Sequence, residues 1–188
     1  MCLQKPSLEK FEMKLLMSFA VVGLSIAMIG CKDGATVADG PSQNRYDLES
    51  GKTQYEAETE PAGAVPVGEA RQKAEDGKEI TLVGLIGGSS EPFVKGLAAF
   101  TIVDAKVPYC APDEGCPTPW DYCCETDAVK ENIATVKIVD DAGKPVTQDA
   151  RDFLEVKELS TVVVKGTAKR DDQGNLTVAA KKIFVRKD

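Results

Sequence analysis

Past Gly77 the chain falls into short runs that alternate apolar and polar residues. Glu79–Ile86 (EITLVGLI) is rich in β-branched residues and predicts a strand, with Gly84 marking a bulge or bend. Ala98–Asp104 (AAFTIVD) sets Phe100 and Ile102 on one face, with Thr101 and Val103 on the outward one. Asn132–Val139 (NIATVKIV) puts Val136 and Ile138 inward, Thr135 and Lys137 outward. The Asp140-Asp141-Ala142-Gly143 run is a turn signal, and Thr147 is placed to cap a helix through about Val156 that buries Phe153 and Leu154. Thr161–Ala168 and Asn175–Val185 flank the loop Arg170–Gly174 and predict a hairpin. The alternation of the last strand slips near Lys181-Lys182, which predicts a bulge.

The first 76 residues follow other patterns. Residues 1–12 are charged and patternless. Lys14 then precedes an apolar run, Leu15 to Ile29, that is short for a membrane span. Gly30 and Cys31 follow it. This succession resembles a bacterial lipoprotein signal with its lipobox, in which Met28 stands where Leu or Val is usual. The resemblance implies a signal peptide over 1–30, a translation start that falls at Met13, and lipidation of Cys31. With Lys32 rather than Asp after the cysteine, it implies an outer-membrane anchor facing the periplasm. Residues 31–76 are rich in Gly, Ala, Ser, Glu, Thr and Pro and poor in strong apolar residues. Such a segment buries too little to offset its ordering entropy, so a flexible tether is expected, with a short helix near the end of Pro61–Glu75.

Three strands, a helix and a two-strand hairpin in residues 77–188 resemble an OB-fold, a mainly β, five-stranded Greek-key barrel with one helix between its third and fourth strands. The Ala99–Asp104 piece and the Val162–Val185 hairpin carry that resemblance, which rests on pattern and not on a motif. A small sandwich, or another barrel with an inserted helix, is the competing architecture. On either layout residues 106–131 form an insertion between strands 2 and 3. A loop of that length in a small domain is usually functional or separately braced.

Composition narrows the chemistry. The chain has no histidine, which removes Ser-His-Asp and Cys-His catalysis and leaves only cysteine or carboxylate ligands for a metal. A formal net charge of −7 disfavours nucleic acid, whose binding rests on neutralising phosphates. The outward positions Thr101, Val103, Thr135 and Lys137 also offer no stacking platform. The basic cluster Lys181, Lys182, Arg186 and Lys187 reads as a solvated edge. Asp104 and Asp140 end strands 2 and 3 and read as turn formers rather than a catalytic pair. The sequence implies no enzyme and no cofactor, and an acidic calcium site has no loop signature.

The insertion holds Cys110, Cys116, Cys123 and Cys124, spaced C-x5-C-x6-C-C, and the only tryptophan. In an exported protein the first reading is two disulfides bracing a loop without its own core, Cys123 and Cys124 each pairing with one of Cys110 and Cys116. A second is a four-thiolate metal site: the count suits zinc, the spacing does not. A third is redox or copper(I) chemistry, opposed by the absence of C-x-x-C and by Asp113, Glu114, Asp121 and Glu125, whose charge raises thiol pKa values. Tyr109, Trp120 and Tyr122 form a candidate partner surface, with Trp120 alternatively a lid on the barrel mouth. The expected function is a lipid-anchored, non-enzymatic binding module of the cell envelope, held to the membrane at Cys31 and facing a protein or glycan partner. The alternatives are nucleic-acid binding and metal or thiol handling by the four cysteines.

Overall fold

Side-chain alternation along five strands is what closes this molecule. The computed structural model describes residues 51–187; the signal segment, Cys31 and the first part of the expected tether lie outside them. Six strands are present: β1 (Val65–Pro66), β2 (Glu79–Ile86), β3 (Ala99–Val103), β4 (Ile133–Ile138), β5 (Thr161–Arg170) and β6 (Leu176–Val185). Three α-helices accompany them: α1 (Val67–Lys73), α2 (Thr126–Glu131) and α3 (Ala150–Leu154). Residues 51–55 are also helical.

β2 pairs antiparallel with β3, and β3 with β4. β4 runs parallel to β6, β6 pairs antiparallel with β5, and β5 returns to β2. The ring has no open edge, and its order of first, second, third, fifth and fourth strand is OB-fold-like. Its interior is filled by Leu82, Ile86, Phe100, Ile102, Val136, Ile138, Val162, Val164, Val178 and Ile183, all of them 0 % exposed. The inward residues assigned from alternation are the ones buried here, which is why the strand boundaries follow the sequence pattern closely.

Two irregularities differ in cause. The β5–β6 register passes from Lys165↔Lys182 to Gly166↔Ala180, so Lys181 is an extra residue and the expected bulge is there. Gly84, by contrast, makes no bulge: β2 pairs with β5 without interruption on both sides of it. A Cβ at Gly84 would lie 2.8 Å from the Val103 carbonyl oxygen and 2.9 Å from a Val67 methyl. Close approach of α1 and β3 is therefore what demands glycine.

The helix expected from Thr147 to Val156 is shorter. Its cap is Asp149, whose carboxylate accepts the Arg151 N–H at 3.1 Å, and Phe153 and Leu154 are buried as expected. Asp140 and Asp104 serve separate turns. Asp140 Oδ1 accepts the Lys144 N–H at 2.8 Å, and Asp104 Oδ1 accepts the Lys106 N–H at 3.0 Å.

The described part of the expected tether, residues 51–76, is packed onto the barrel, which corrects the reading of that stretch as a flexible spacer. Val67, Ala70 and Ala74 recur at helical spacing and form a narrow apolar stripe, with Val67 and Ala70 fully buried. Tyr55 is buried and meets Phe153 edge-on, ring centroids 5.8 Å apart. Low average hydropathy hid these residues because they are few but correctly spaced.

α1 is held at both ends by the barrel. Asp104 Oδ2 accepts the Gly68 N–H at 2.8 Å, and Asp104 is 2 % exposed. At the other end the Arg170 guanidinium donates to the carbonyls of Ala74 at 2.8 Å, of Ala70 at 3.4 Å and of Arg71. A cation on the last carbonyls of a helix satisfies groups that the helix itself leaves orphaned.

Candidate functional site

The insertion between β3 and β4 is built in two halves. The first contains two 3-10 turns, Pro112–Glu114 and Pro119–Asp121, and the second is α2. Prolines begin both turns, where a missing N–H costs nothing. Both turns end in a left-handed residue, Gly115 at φ 69° and Tyr122 at φ 58°. The two tight reversals fold the chain back on itself, so cysteines spaced along the insertion meet.

The insertion has an apolar core, contrary to the expectation of a loop without one. Val103, Val107, Tyr122 and Val129 are buried together, with Ala128 and Ile133 against them. Val103 does point outward from the barrel, as its alternation predicts, but the insertion covers it. Tyr122 is 0 % exposed, so it is withdrawn from the partner surface on which it was expected. Its hydroxyl is buried without a partner, and its pKa is pushed up to about 12, by burial first and then by the Tyr109 phenol. Trp120 is half-buried, and its Nε1–H donates to the Ser90 carbonyl at 3.2 Å, while the Gly88 N–H donates to the Trp120 carbonyl at 2.8 Å. It thereby ties the insertion to the loop after β2. Tyr109 is 46 % exposed and is free to meet a partner.

On the outer side of this small core the four thiols converge. The Sγ atoms of Cys116 and Cys123 are 3.4 Å apart, those of Cys110 and Cys123 3.6 Å, and those of Cys110 and Cys124 and of Cys123 and Cys124 3.9 Å. Cys110 and Cys116 have their sulfurs within 4.8 Å. The four are unbonded thiols in this structure, at contact separations and not at the ~2.05 Å of a disulfide. Cys110 is buried, Cys116 half-buried, and Cys123 and Cys124 are exposed, so the cluster opens to solvent on one side.

Acidic side chains hold the loop around the sulfurs. Asp121 Oδ1 accepts the Cys123 N–H at 2.9 Å and lies 4.0 Å from the Cys116 sulfur, while its Oδ2 accepts the Thr118 hydroxyl at 2.6 Å. Glu114 Oε2 accepts the Ala111 N–H at 2.6 Å, and Glu114 has a carboxylate oxygen within 4.8 Å of the Cys110 and Cys124 sulfurs.

Contacts among the sulfurs shift the pKa values of Cys110, Cys123 and Cys124 in different directions. Burial raises the pKa of Cys110, but the Cys123 thiol, the Cys124 N–H and the other two thiols stabilise its thiolate more strongly, and the net shift is downward. Cys123 is raised, because its proton is shared with Cys116, Cys110 and Cys124 in turn. For Cys124 a lowering contact with Cys123 is outweighed by the Cys110 thiolate, burial and the Glu114 charge, and the net shift is upward.

Sequence reasoning located the cysteines, Trp120 and Tyr109. It missed Asp121 as the residue that locks the second turn, although Thr118-x-x-Asp121 is a spacing that turn chemistry allows. It also missed Arg170 as the clasp of α1, because those carbonyl partners are 96 to 100 residues away and leave no local signal.

No family model matches the chain, and no curated protein matches it. Two solved structures are similar over most of their lengths. The hypothetical protein ygiW from E. coli is 17% identical, covers 67% of this chain and 94% of its own, and superposes with a TM-score of 0.37. The OBody AM1L10, solved bound to hen egg-white lysozyme, is 11% identical over 70% of this chain and 99% of its own, with a TM-score of 0.39.

Proposed function

We propose that this chain is a lipid-anchored, non-enzymatic binding module of the bacterial cell envelope, and that its binding element is the insertion of residues 106–131. One observation carries the second half of this reading. Among the described residues, both groups of three or more cysteine or carboxylate side chains close enough to share a metal ion lie in that insertion. The barrel acts as a rigid mount, since loops on a closed sheet are where function is usually placed. The anchor rests on Lys14, the apolar run Leu15–Ile29, Gly30 and Cys31. Among the described residues no helix is long and apolar enough to cross a membrane. Tyr109, exposed beside the thiols, supplies an aromatic contact for a protein or glycan partner. The nucleic-acid alternative gains no support, because Thr101, Thr135 and Lys137 leave the outer face of β3 and β4 without aromatic side chains.

The test is metabolic labelling of the full chain with a clickable fatty acid in its native host, followed by membrane fractionation. Label on the wild type and none on Cys31→Ser is the expected result. Unlabelled wild-type chain found in the soluble fraction sinks the anchored reading.

A further inference from the structure

The geometry points to a new site: Cys110, Cys116, Cys123 and Cys124 together bind one tetrahedral, thiophilic divalent ion, zinc. This rests on the reading that the insertion is the binding element and names what it binds. A zinc–thiolate bond is about 2.3 Å, so four sulfurs around one ion stand about 3.8 Å apart on every edge of the tetrahedron. Four of the six edges here are 3.4, 3.6, 3.9 and 3.9 Å, and a fifth lies within 4.8 Å. Cys110, Cys116 and Cys123 form one group with the Asp121 carboxylate within 4.8 Å, and Cys124, grouped with Cys110 and Glu114, stands 3.9 Å from the Cys110 and Cys123 sulfurs, so a small shift of Cys124 toward Cys116 closes the four-sulfur set.

The C-x5-C-x6-C-C spacing argues against zinc only if each pair must form a knuckle of its own. The structure brings the sulfurs together by another route. The left-handed residues Gly115 and Tyr122 reverse the chain, and Asp121 pins the Cys123 amide. The adjacent residues Cys123 and Cys124 then place their sulfurs 3.9 Å apart on one side of the cluster. Tyr122 anchors this corner in the small core, so the ligands are held from behind by packing rather than by the metal alone.

Cys123 is in contact with three other sulfurs, so no single pairing is preferred by distance alone. The rival arrangement is two disulfides, Cys116–Cys123 and Cys110–Cys124. It needs the 3.4 Å and 3.9 Å separations of those pairs to shrink to about 2 Å, which breaks the contacts of Cys123 with Cys110 and Cys124. Ion binding displaces the four thiol protons to solvent and forms four Zn–S bonds, with no change of oxidation state. The exposed side at Cys123 and Cys124 is the entry path, and the carboxylates of Asp121 and Glu114 attract the dication toward it.

The test uses the detergent-solubilised full chain, reduced with a phosphine under anaerobic conditions and titrated with Co2+ as a spectroscopic substitute for Zn2+. The expected result is one Co2+ per chain, intense visible d–d bands with sulfur-to-cobalt charge transfer, and displacement by Zn2+. Peptide-resolved alkylation then shows Cys110, Cys116, Cys123 and Cys124 protected when Zn2+ is present and modified after chelation. Cys116→Ser and Cys124→Ser each weaken Co2+ binding by more than the about 10–100-fold that loss of an outer-shell partner costs, and alter the spectrum. Both positions lie outside the small core, so a sheet signal in circular dichroism confirms that the variants fold. A reduced, folded chain that takes up no Co2+ overturns the inference, and so do two intact disulfides with no zinc in the chain as isolated from the envelope. Either failure leaves the fatty-acid labelling result untouched, so loss of the metal site is distinguishable from loss of the anchored-module reading.

Discussion

Arg170 and Asp104 show how much single side chains far from the thiols contribute. Each closes one end of α1 through a charge-assisted hydrogen bond, and each is supplied by the barrel. Arg170→Met keeps most of the apolar stem and removes the donors. It takes the guanidinium from the carbonyls of Arg71 and Ala74, while Ala70 keeps the Ala74 N–H, and a hydrogen bond to a charged group contributes roughly 1.5–3 kcal/mol. The expected outcome is a loss of about 2 kcal/mol in urea unfolding, together with faster amide exchange in α1. Unchanged exchange in α1 contradicts the clasp. Tyr122 gives a sharper pair of variants. Its hydroxyl is buried and unpartnered, so Tyr122→Phe removes a cost and leaves stability equal or slightly higher. Tyr122→Ala empties the centre of the insertion core and costs about 3–5 kcal/mol. A Phe variant as unstable as the Ala variant shows that the hydroxyl has a partner after all.

At the scale of elements, the strands were legible because a half-buried strand must alternate, and β2 matches its expected bounds residue for residue. The bulge at Lys181 was legible for the same reason, since two consecutive lysines break a period of two. α1 was legible as a short helix near the end of Pro61–Glu75, but its packing onto the barrel was not, because its apolar stripe is three residues in a polar stretch and its ends are held by Asp104 and Arg170. That the cysteines meet was expected, as two pairs or as one metal site, but the backbone route by which they meet was not legible. Spacing along the chain says nothing about left-handed reversals at Gly115 and Tyr122, and φ > 0 at a tyrosine has no sequence signal. Near α3 an ion pair ties the helix to the turn before β5. Arg151 donates to Glu158 at 2.5 Å, and its guanidinium also lies over the Phe93 ring at 4.1 Å. The Arg151 hydrogen bond lowers the Glu158 pKa against the opposing effect of burial. A carboxylate whose folded pKa is depressed stabilises the fold above its unfolded pKa of about 4.3, and that stability is lost as pH falls through the lower folded value. Glu158→Gln therefore unfolds more easily than wild type at neutral pH, and the difference narrows below about pH 4. A gap between the two melting temperatures that does not narrow at all between pH 5 and pH 2 contradicts the pairing.

Across the whole molecule, a closed barrel with few irregularities carries one elaborate insertion with its own core and its own cluster of donors. Fold alone does not assign the ligand, since barrels of this order host many, and the assignment rests on the four sulfurs. The most direct measurement is the native mass of the chain extracted from envelopes without reductant, repeated after denaturing alkylation. The account predicts the mass of a lipidated chain plus one zinc, and four alkylated insertion cysteines once the ion is released. A metal-free mass in which Cys110, Cys116, Cys123 and Cys124 resist alkylation until reduced contradicts it, and makes the cluster a pair of covalent braces.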